Sequence, residues 1–96
     1  MAGTISVRVR ILGHVQGVWF RAWTVNIARD LCLDGWVRNR DDGSVEAAFA
    51  GPAPQVEKMI TNCGLGPPGA RVRSITREPA DPSEFEGRGF RELSTS

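Results

Sequence analysis

Residues 5–31 read ISVRVRILGHVQGVWFRAWTVNIARDL, and the spacing of the apolar side chains changes once along this stretch. From Ile5 to Leu12 apolar residues alternate with mostly polar ones, which is typical of a strand with one buried face. From Phe20 to Leu31 the period is about 3.6 residues, which places on one side of a helix Phe20, Trp23, Thr24, Ile27, Ala28 and Leu31. The stretch therefore predicts a strand and a helix joined by a loop from Gly13 to Trp19.

A β-hairpin is predicted to follow this first unit. Gly35 to Asn39 and Ser44 to Ala50 are short strand-like segments, and between them Asp42 and Gly43 suit the positive φ angles of a tight turn. A second helix is then expected, with a start marked by two prolines and an apolar stripe formed by Val56, Met59, Ile60 and Cys63.

The last third of the chain predicts two more strands. Ala70 to Arg77 is strand-like, but Val72 and Ile75 are three residues apart, which predicts a bulge or a change of face. Beyond it, several prolines and glycines, Pro82 among them, leave room only for a short final strand around Phe90 to Leu93.

The order of these elements is β-α-β-β-α-β with a short extra C-terminal strand. It predicts an α+β fold, the ferredoxin-like sandwich, in which two helices cover one face of an antiparallel sheet. A chain of 96 residues has room for one such domain, residues 1–96. The two helices should end at opposite edges of the sheet, so Cys32 and Cys63 are expected to lie too far apart for a disulfide.

Composition excludes several classes of function. Twelve basic residues against 11 acidic ones give a formal net charge of +1, so nothing predicts a broad surface for nucleic acid or for an anionic membrane. No apolar run approaches the roughly 18 residues of a membrane span, and we expect a cytoplasmic protein. Two cysteines and one histidine do not supply a zinc or iron–sulfur ligand set, so no metal is expected.

The loop between the first strand and the first helix carries the strongest chemical signal. Its two glycines, Gly13 and Gly17, allow consecutive backbone N–H groups to point at one spot beside a helix N-terminus, which is an arrangement that binds anions. Arg21 adds a planar cation suited to two phosphoryl oxygens. Taken alone, the loop is more typical of an ordinary strand-to-helix connection, and Asn39 is more typical of an ordinary turn residue.

Two longer motifs identify a family resemblance. The run GHVQGVWFR at residues 13–21 resembles the first acylphosphatase signature, and GWVRNRDDGSVE at residues 35–46 resembles the second. The family's glycine–proline linker into the fourth strand is similar to Gly66 and Pro67 with Ala70 and Val72, so the similarity extends over about residues 5–93.

The resemblance implies an enzyme that hydrolyses acyl phosphates to carboxylate and inorganic phosphate with an oriented water, and without metal or cofactor. By motif position, Arg21 is the phosphate-binding arginine and Asn39 the water-orienting asparagine. The substrate-binding backbone of the family corresponds here to Val15, Gln16, Gly17, Val18, Trp19 and Phe20. The expected partners are an acyl phosphate substrate and inorganic phosphate, as product and inhibitor; no nucleic acid or membrane is expected, and the chain is expected to be a monomer.

Two other functions remain open at this point. One is a non-catalytic module that binds phosphate or carbamoyl phosphate, since acylphosphatase-like domains also occur within larger hydrogenase-maturation proteins. The other is RNA recognition, which uses the same topology but needs exposed aromatic residues on the third strand, where this chain has only Phe49.

Three polar residues near the motifs are assigned no catalytic role. His14 occupies a variable position of the first motif, and Asp41 and Asp42 suit turn geometry better than phosphate binding.

The chain departs from the family pattern at the end of the first helix. A glycine usually follows the leucine there, whereas this sequence has Cys32 after Leu31. If Cys32 adopts the left-handed conformation of that glycine, the strain costs about 1 kcal/mol.

Overall fold

The computed structural model describes residues 3–81, 83, 87 and 89–96. The elements follow the predicted order: β1 (Thr4–His14), α1 (Phe20–Asp30), β2 (Asp34–Asn39), β3 (Val45–Pro52), α2 (Ala53–Leu65), β4 (Arg71–Pro79) and β5 (Phe90–Glu92). Pro82, one of the residues used to predict a short final strand, lies outside the described residues.

The five strands form one sheet in the order β4-β1-β3-β2-β5. The pairs β1–β4, β1–β3 and β2–β3 are antiparallel, as predicted, and the two helices cover one face, which confirms the ferredoxin-like arrangement. The added strand β5 differs, because it pairs with β2 in parallel and makes the sheet mixed. The chain reaches β5 from the opposite edge of the sheet, so no tight hairpin imposes an antiparallel direction on it.

The core lies between the sheet and the helices. On β3, Val45, Ala47 and Phe49 face the helices with almost no exposed surface. From α1 the buried residues are Phe20, Thr24 and Ala28, and from α2 they are Val56, Met59 and Cys63. Phe90 of β5 stacks on Phe49 with ring centroids 5.4 Å apart, so the short last strand is anchored in the same core.

The predicted bulge lies where β1 leads into the loop. Leu12 pairs with Ser74 and Gly13 with Val72, so Arg73 is the extra residue on β4. At Gly13 φ is 134°, and a Cβ atom there would collide with the carbonyl oxygen of Arg71. A glycine at this position therefore lets β4 approach the end of β1 closely.

At the end of α1, Cys32 adopts the left-handed conformation of the glycine that it replaces, so the strain expected for this position applies. Cys32 has φ 57°, its N–H donates to the Arg29 carbonyl at 3.0 Å, and the Leu33 N–H donates to the Ala28 carbonyl at 2.9 Å. These two bonds form a Schellman motif. Cys32 is exposed, Cys63 is buried, and both are free thiols. Within the described chain, neither helix is long and apolar enough to cross a membrane.

Candidate active site

The loop between β1 and α1 has the backbone geometry of an anion-binding turn. φ is positive at Gly17 (75°) and at Trp19 (67°) but not at Val18 between them. No described backbone carbonyl accepts a hydrogen bond from the N–H groups of residues 16–20. Because these groups precede the N-terminus of α1, they are free donors at the positive end of a helix dipole.

Arg21 lies in the first turn of α1, next to these donors. Its guanidinium is partly exposed, and its Nη1 atom lies 3.3 Å from Oε2 of Glu92 on β5. A cation at the beginning of a helix opposes the helix dipole, so this ion pair offsets an otherwise unfavourable placement. A ligand phosphate at the same position would meet both the loop donors and the guanidinium.

Asn39 is the last residue of β2, at the end of the sheet where the loop after β1 also lies. Its backbone carbonyl accepts a hydrogen bond from the Ser96 N–H at 3.1 Å, and the Asp41 N–H donates to the Ser96 carbonyl at 3.1 Å. The C-terminal tail thereby fixes the backbone on either side of Arg40. Asn39 also lines the neighbouring pocket.

A pocket of about 340 Å³ joins these parts of the chain. Its lining residues are Val15, Gly17, Trp19, Phe20, Arg21, Ala22, Asn39 and Glu92. Six of the eight residues selected from the sequence line this one pocket. Among the described residues that line it, the permanently charged cation is Arg21 and the carboxylate is Glu92.

The other two selected residues, Gln16 and Val18, do not line the pocket with their side chains. Nε2 of Gln16 donates to the Arg40 carbonyl at 2.8 Å and to the Ser44 carbonyl at 2.9 Å. The amide thus ties the loop to the β2–β3 hairpin, directly beyond Asn39. Val18 is partly buried and packs against the core.

Sequence reasoning missed two residues of the pocket, Glu92 and Ala22. Glu92 belongs to a polar C-terminal stretch that carries no motif, and only the parallel pairing of β5 with β2 brings it to Arg21. Ala22 is exposed on α1 and lies one residue beyond the first motif, which ends at Arg21.

The three residues assigned no catalytic role lie outside the pocket. His14 is exposed at the end of β1. Asp41 and Asp42 lie in the hairpin turn, where Oδ1 of Asp42 accepts bonds from the Ser44 hydroxyl at 2.6 Å and the Ser44 N–H at 2.9 Å. These two hydrogen bonds lower the pKa of the Asp42 carboxyl below its usual value.

Comparison with known proteins gives a consistent result. The family model Acylphosphatase matches residues 7–92. A protein named Acylphosphatase from Rhizorhabdus wittichii is 62% identical over 74 residues, which are 77% of this chain and 75% of that protein.

Solved structures agree with this match. The structure of an acylphosphatase from Coxiella burnetii superposes with a TM-score of 0.85 at 31% identity, covering 94% of this chain and 93% of that one. A structure of full-length HypF in a phosphate- and nucleotide-bound form gives a TM-score of 0.86 at 26% identity, covering 99% of this chain but only 12% of that one.

Proposed function

The chain belongs to the acylphosphatase family, and from this membership we propose how its residues carry out the reaction. It is an enzyme that hydrolyses acyl phosphates: the bond between phosphorus and the acyl oxygen breaks, and a carboxylate and inorganic phosphate are released. The roles assigned below to individual residues are our proposal.

Arg21 and the N–H groups of Val15 to Phe20 bind the phosphoryl group. Phosphoryl transfer passes through a loose transition state with charge spread over three equatorial oxygens, so fixed donors aimed at those oxygens lower the barrier. The unpaired loop donors and the guanidinium converge on one pocket, and this convergence is the observation that carries the proposal. On binding, the substrate replaces Glu92 as the partner of Arg21.

Asn39 orients the attacking water. Its amide oxygen accepts a hydrogen bond from the water and aligns the water oxygen with phosphorus, but an amide is too weak a base to remove the proton. The proton therefore passes to an oxygen of the phosphoryl group as the new bond forms. The departing carboxylate is a weak base and leaves without a strong general acid. The reaction needs no metal or cofactor in this scheme.

A module that only binds phosphate or carbamoyl phosphate is the less favoured alternative. The similarity to HypF covers a small part of that protein, whereas the relatives named Acylphosphatase match over most of their length. Acyl phosphate is therefore the proposed substrate, and inorganic phosphate the product and inhibitor.

We also propose that the chain works as a monomer in the cytoplasm. The large apolar side chains exposed among the described residues are Trp19 and Leu65, which are few for a broad apolar interface. Two free thiols suit a reducing compartment. Sedimentation equilibrium would test the monomer, and a dimer at micromolar concentration would refute it.

The test of the catalytic assignment is hydrolysis of benzoyl phosphate in the presence of EDTA. Arg21→Gln should reduce kcat/KM by at least about 1000-fold and abolish inhibition by phosphate, because it removes a binding and a catalytic charge. Asn39→Ala should reduce kcat by about 100-fold but retain phosphate inhibition. The matched controls are Arg91→Gln on the exposed side of β5 and Asn26→Ala on the exposed side of α1.

Retained activity in Arg21→Gln would overturn its assigned role. Loss of phosphate inhibition in Asn39→Ala would show that Asn39 binds phosphate rather than water. A folded wild-type chain without activity would contradict the proposed function.

A further inference from the structure

Trp19 is the most unusual side chain of the pocket. It lines the pocket and yet is 83% exposed, and it adopts a left-handed backbone conformation with φ 67°. A bulky aromatic residue is rarely found there, and such strain persists mainly where the surrounding structure imposes it, often at functional sites. Phosphate binding uses only the backbone of Trp19, so the exposed indole is left without a role.

The pocket has a polar part and an apolar part. Arg21, Asn39 and the loop N–H groups form the polar part. Of the apolar lining residues, Val15 and Phe20 are almost fully buried and offer little surface to a ligand. Trp19 and Ala22 are exposed, and both line the pocket together with Arg21. The free apolar surface of the pocket is therefore mostly indole.

The chemistry of the substrate indicates what this surface contacts. With its phosphoryl group held by the loop and Arg21, an acyl phosphate must direct its acyl group away from these donors. The exposed apolar surface there belongs to Trp19 and Ala22. Resting on the function proposed above, we propose that Trp19 is a specificity-determining residue whose indole contacts the acyl group and favours acyl phosphates with aromatic or large apolar acyl groups.

The proposed contact involves only the side chain of Trp19. Comparing kcat/KM for two substrates that differ in the acyl group therefore separates this contact from phosphate binding. Benzoyl phosphate carries a ring that can pack on the indole, whereas the methyl group of acetyl phosphate offers little area. Any shift of the loop backbone alters phosphate binding for both substrates together. The measured quantity is therefore kcat/KM for benzoyl phosphate divided by kcat/KM for acetyl phosphate.

The variants are chosen to keep the backbone. Trp19→Asn removes the ring, and asparagine tolerates the left-handed conformation. Trp19→Phe retains an aromatic surface. Leu65→Ala removes another large exposed apolar side chain, which lies at the end of α2 and is not among the residues lining the pocket. We expect Trp19→Asn to lower the ratio by roughly 5- to 10-fold, Trp19→Phe by less than about 2-fold, and Leu65→Ala to leave it unchanged.

A measurement on the wild-type protein does not depend on the folding of any variant. Benzoylphosphonate and acetylphosphonate resist this hydrolysis, because their carbonyl carbon is bonded directly to phosphorus and there is no bridging P–O bond to break. We expect benzoylphosphonate to inhibit at least about 5-fold more strongly than acetylphosphonate.

The outcomes separate this inference from the proposed function. An unchanged ratio in Trp19→Asn, or equal inhibition by the two phosphonates, would overturn the inference while hydrolysis of both acyl phosphates still supported the function. A folded wild-type protein that hydrolyses neither acyl phosphate would refute both.

Discussion

The Glu92 carboxylate lies 3.3 Å from the Arg21 guanidinium, although 71 residues separate the two along the chain. Both side chains are partly exposed and both line the pocket that holds Asn39. Such a pair adds little to stability because water screens it. The pair instead affects substrate binding, because the Glu92 carboxylate and an anionic substrate compete for the Arg21 guanidinium.

Removing the charge of Glu92 should therefore strengthen phosphate binding. In Glu92→Gln, Arg21 loses its competing partner and the phosphate loses a like charge nearby, so the inhibition constant of phosphate should fall roughly 3- to 5-fold. The difference should shrink at high ionic strength. Glu78→Gln, which removes the partner of Arg8 outside this pocket, is the control. Weaker phosphate binding in Glu92→Gln would show instead that the carboxylate holds Arg21 in its binding position.

Gln16 should affect catalysis by positioning the loop relative to Asn39, and not by contacting the substrate with its side chain. Its amide donates to two carbonyls of the hairpin. In Gln16→Glu a carboxylate, which cannot donate, would lie against these two acceptors, and the loop would no longer be bound to the hairpin that follows Asn39. We expect kcat/KM to fall about 10- to 100-fold, since small misplacements of reacting groups are costly. Gln16→Asn, with a shorter side chain, should also be impaired, and Gln55→Glu on α2 should not. Full activity in Gln16→Glu would contradict this coupling.

The Cys32→Gly substitution should stabilise the protein. Cys32 has φ 57° in the Schellman motif that ends α1, and glycine adopts this conformation without strain. We expect a gain of about 1 kcal/mol and a rise in Tm of about 4–8 °C, measured by thermal unfolding. Cys32→Val should lower Tm. A lower Tm in Cys32→Gly would mean that the thiol contributes packing that offsets its strain.

The two thiols should differ in reactivity. Burial raises the pKa of the Cys63 thiol to about 12, because the thiolate would lie in an apolar core. At pH 8 a disulfide reagent should therefore titrate one thiol in the native protein, the exposed Cys32, and two after unfolding. Native Cys32→Ser should react only at the rate of unfolding. Rapid reaction of both thiols in the folded wild type would contradict the burial of Cys63 on α2.

The hairpin turn should be sensitive to acid. The Ser44 hydroxyl and N–H donate to the ionised Asp42 carboxyl and hold its pKa below 3.8. A lowered native pKa contributes stability above the pKa of the unfolded chain, and this contribution disappears as the pH falls through the native value. In Ser44→Ala, the pKa of Asp42 measured by NMR titration should rise towards 3.8. An unchanged titration would assign the shift to the neighbouring arginines instead.

The local elements could be predicted from the amino-acid sequence. The change of period between Ile11 and Phe20 predicted β1, the loop and α1, because apolar spacing reflects which side of each element is buried. The spacing of Val72 and Ile75 predicted the bulge for the same reason. Two motifs also selected Arg21 and Asn39, whose types suit phosphate and water. These are properties of short stretches of chain, so they can be read without knowing what packs against them.

The contacts between residues distant in sequence became evident from the three-dimensional fold. The parallel pairing of β5 with β2, the ion pair of Glu92 with Arg21 and the bond from Gln16 to the hairpin join segments far apart in sequence. No local period encodes such contacts. They depend on the edge of the sheet that the last strand reaches and on the backbone groups left unpaired there. The sequence therefore identified the residues that suit phosphate chemistry, and the fold determined what surrounds them.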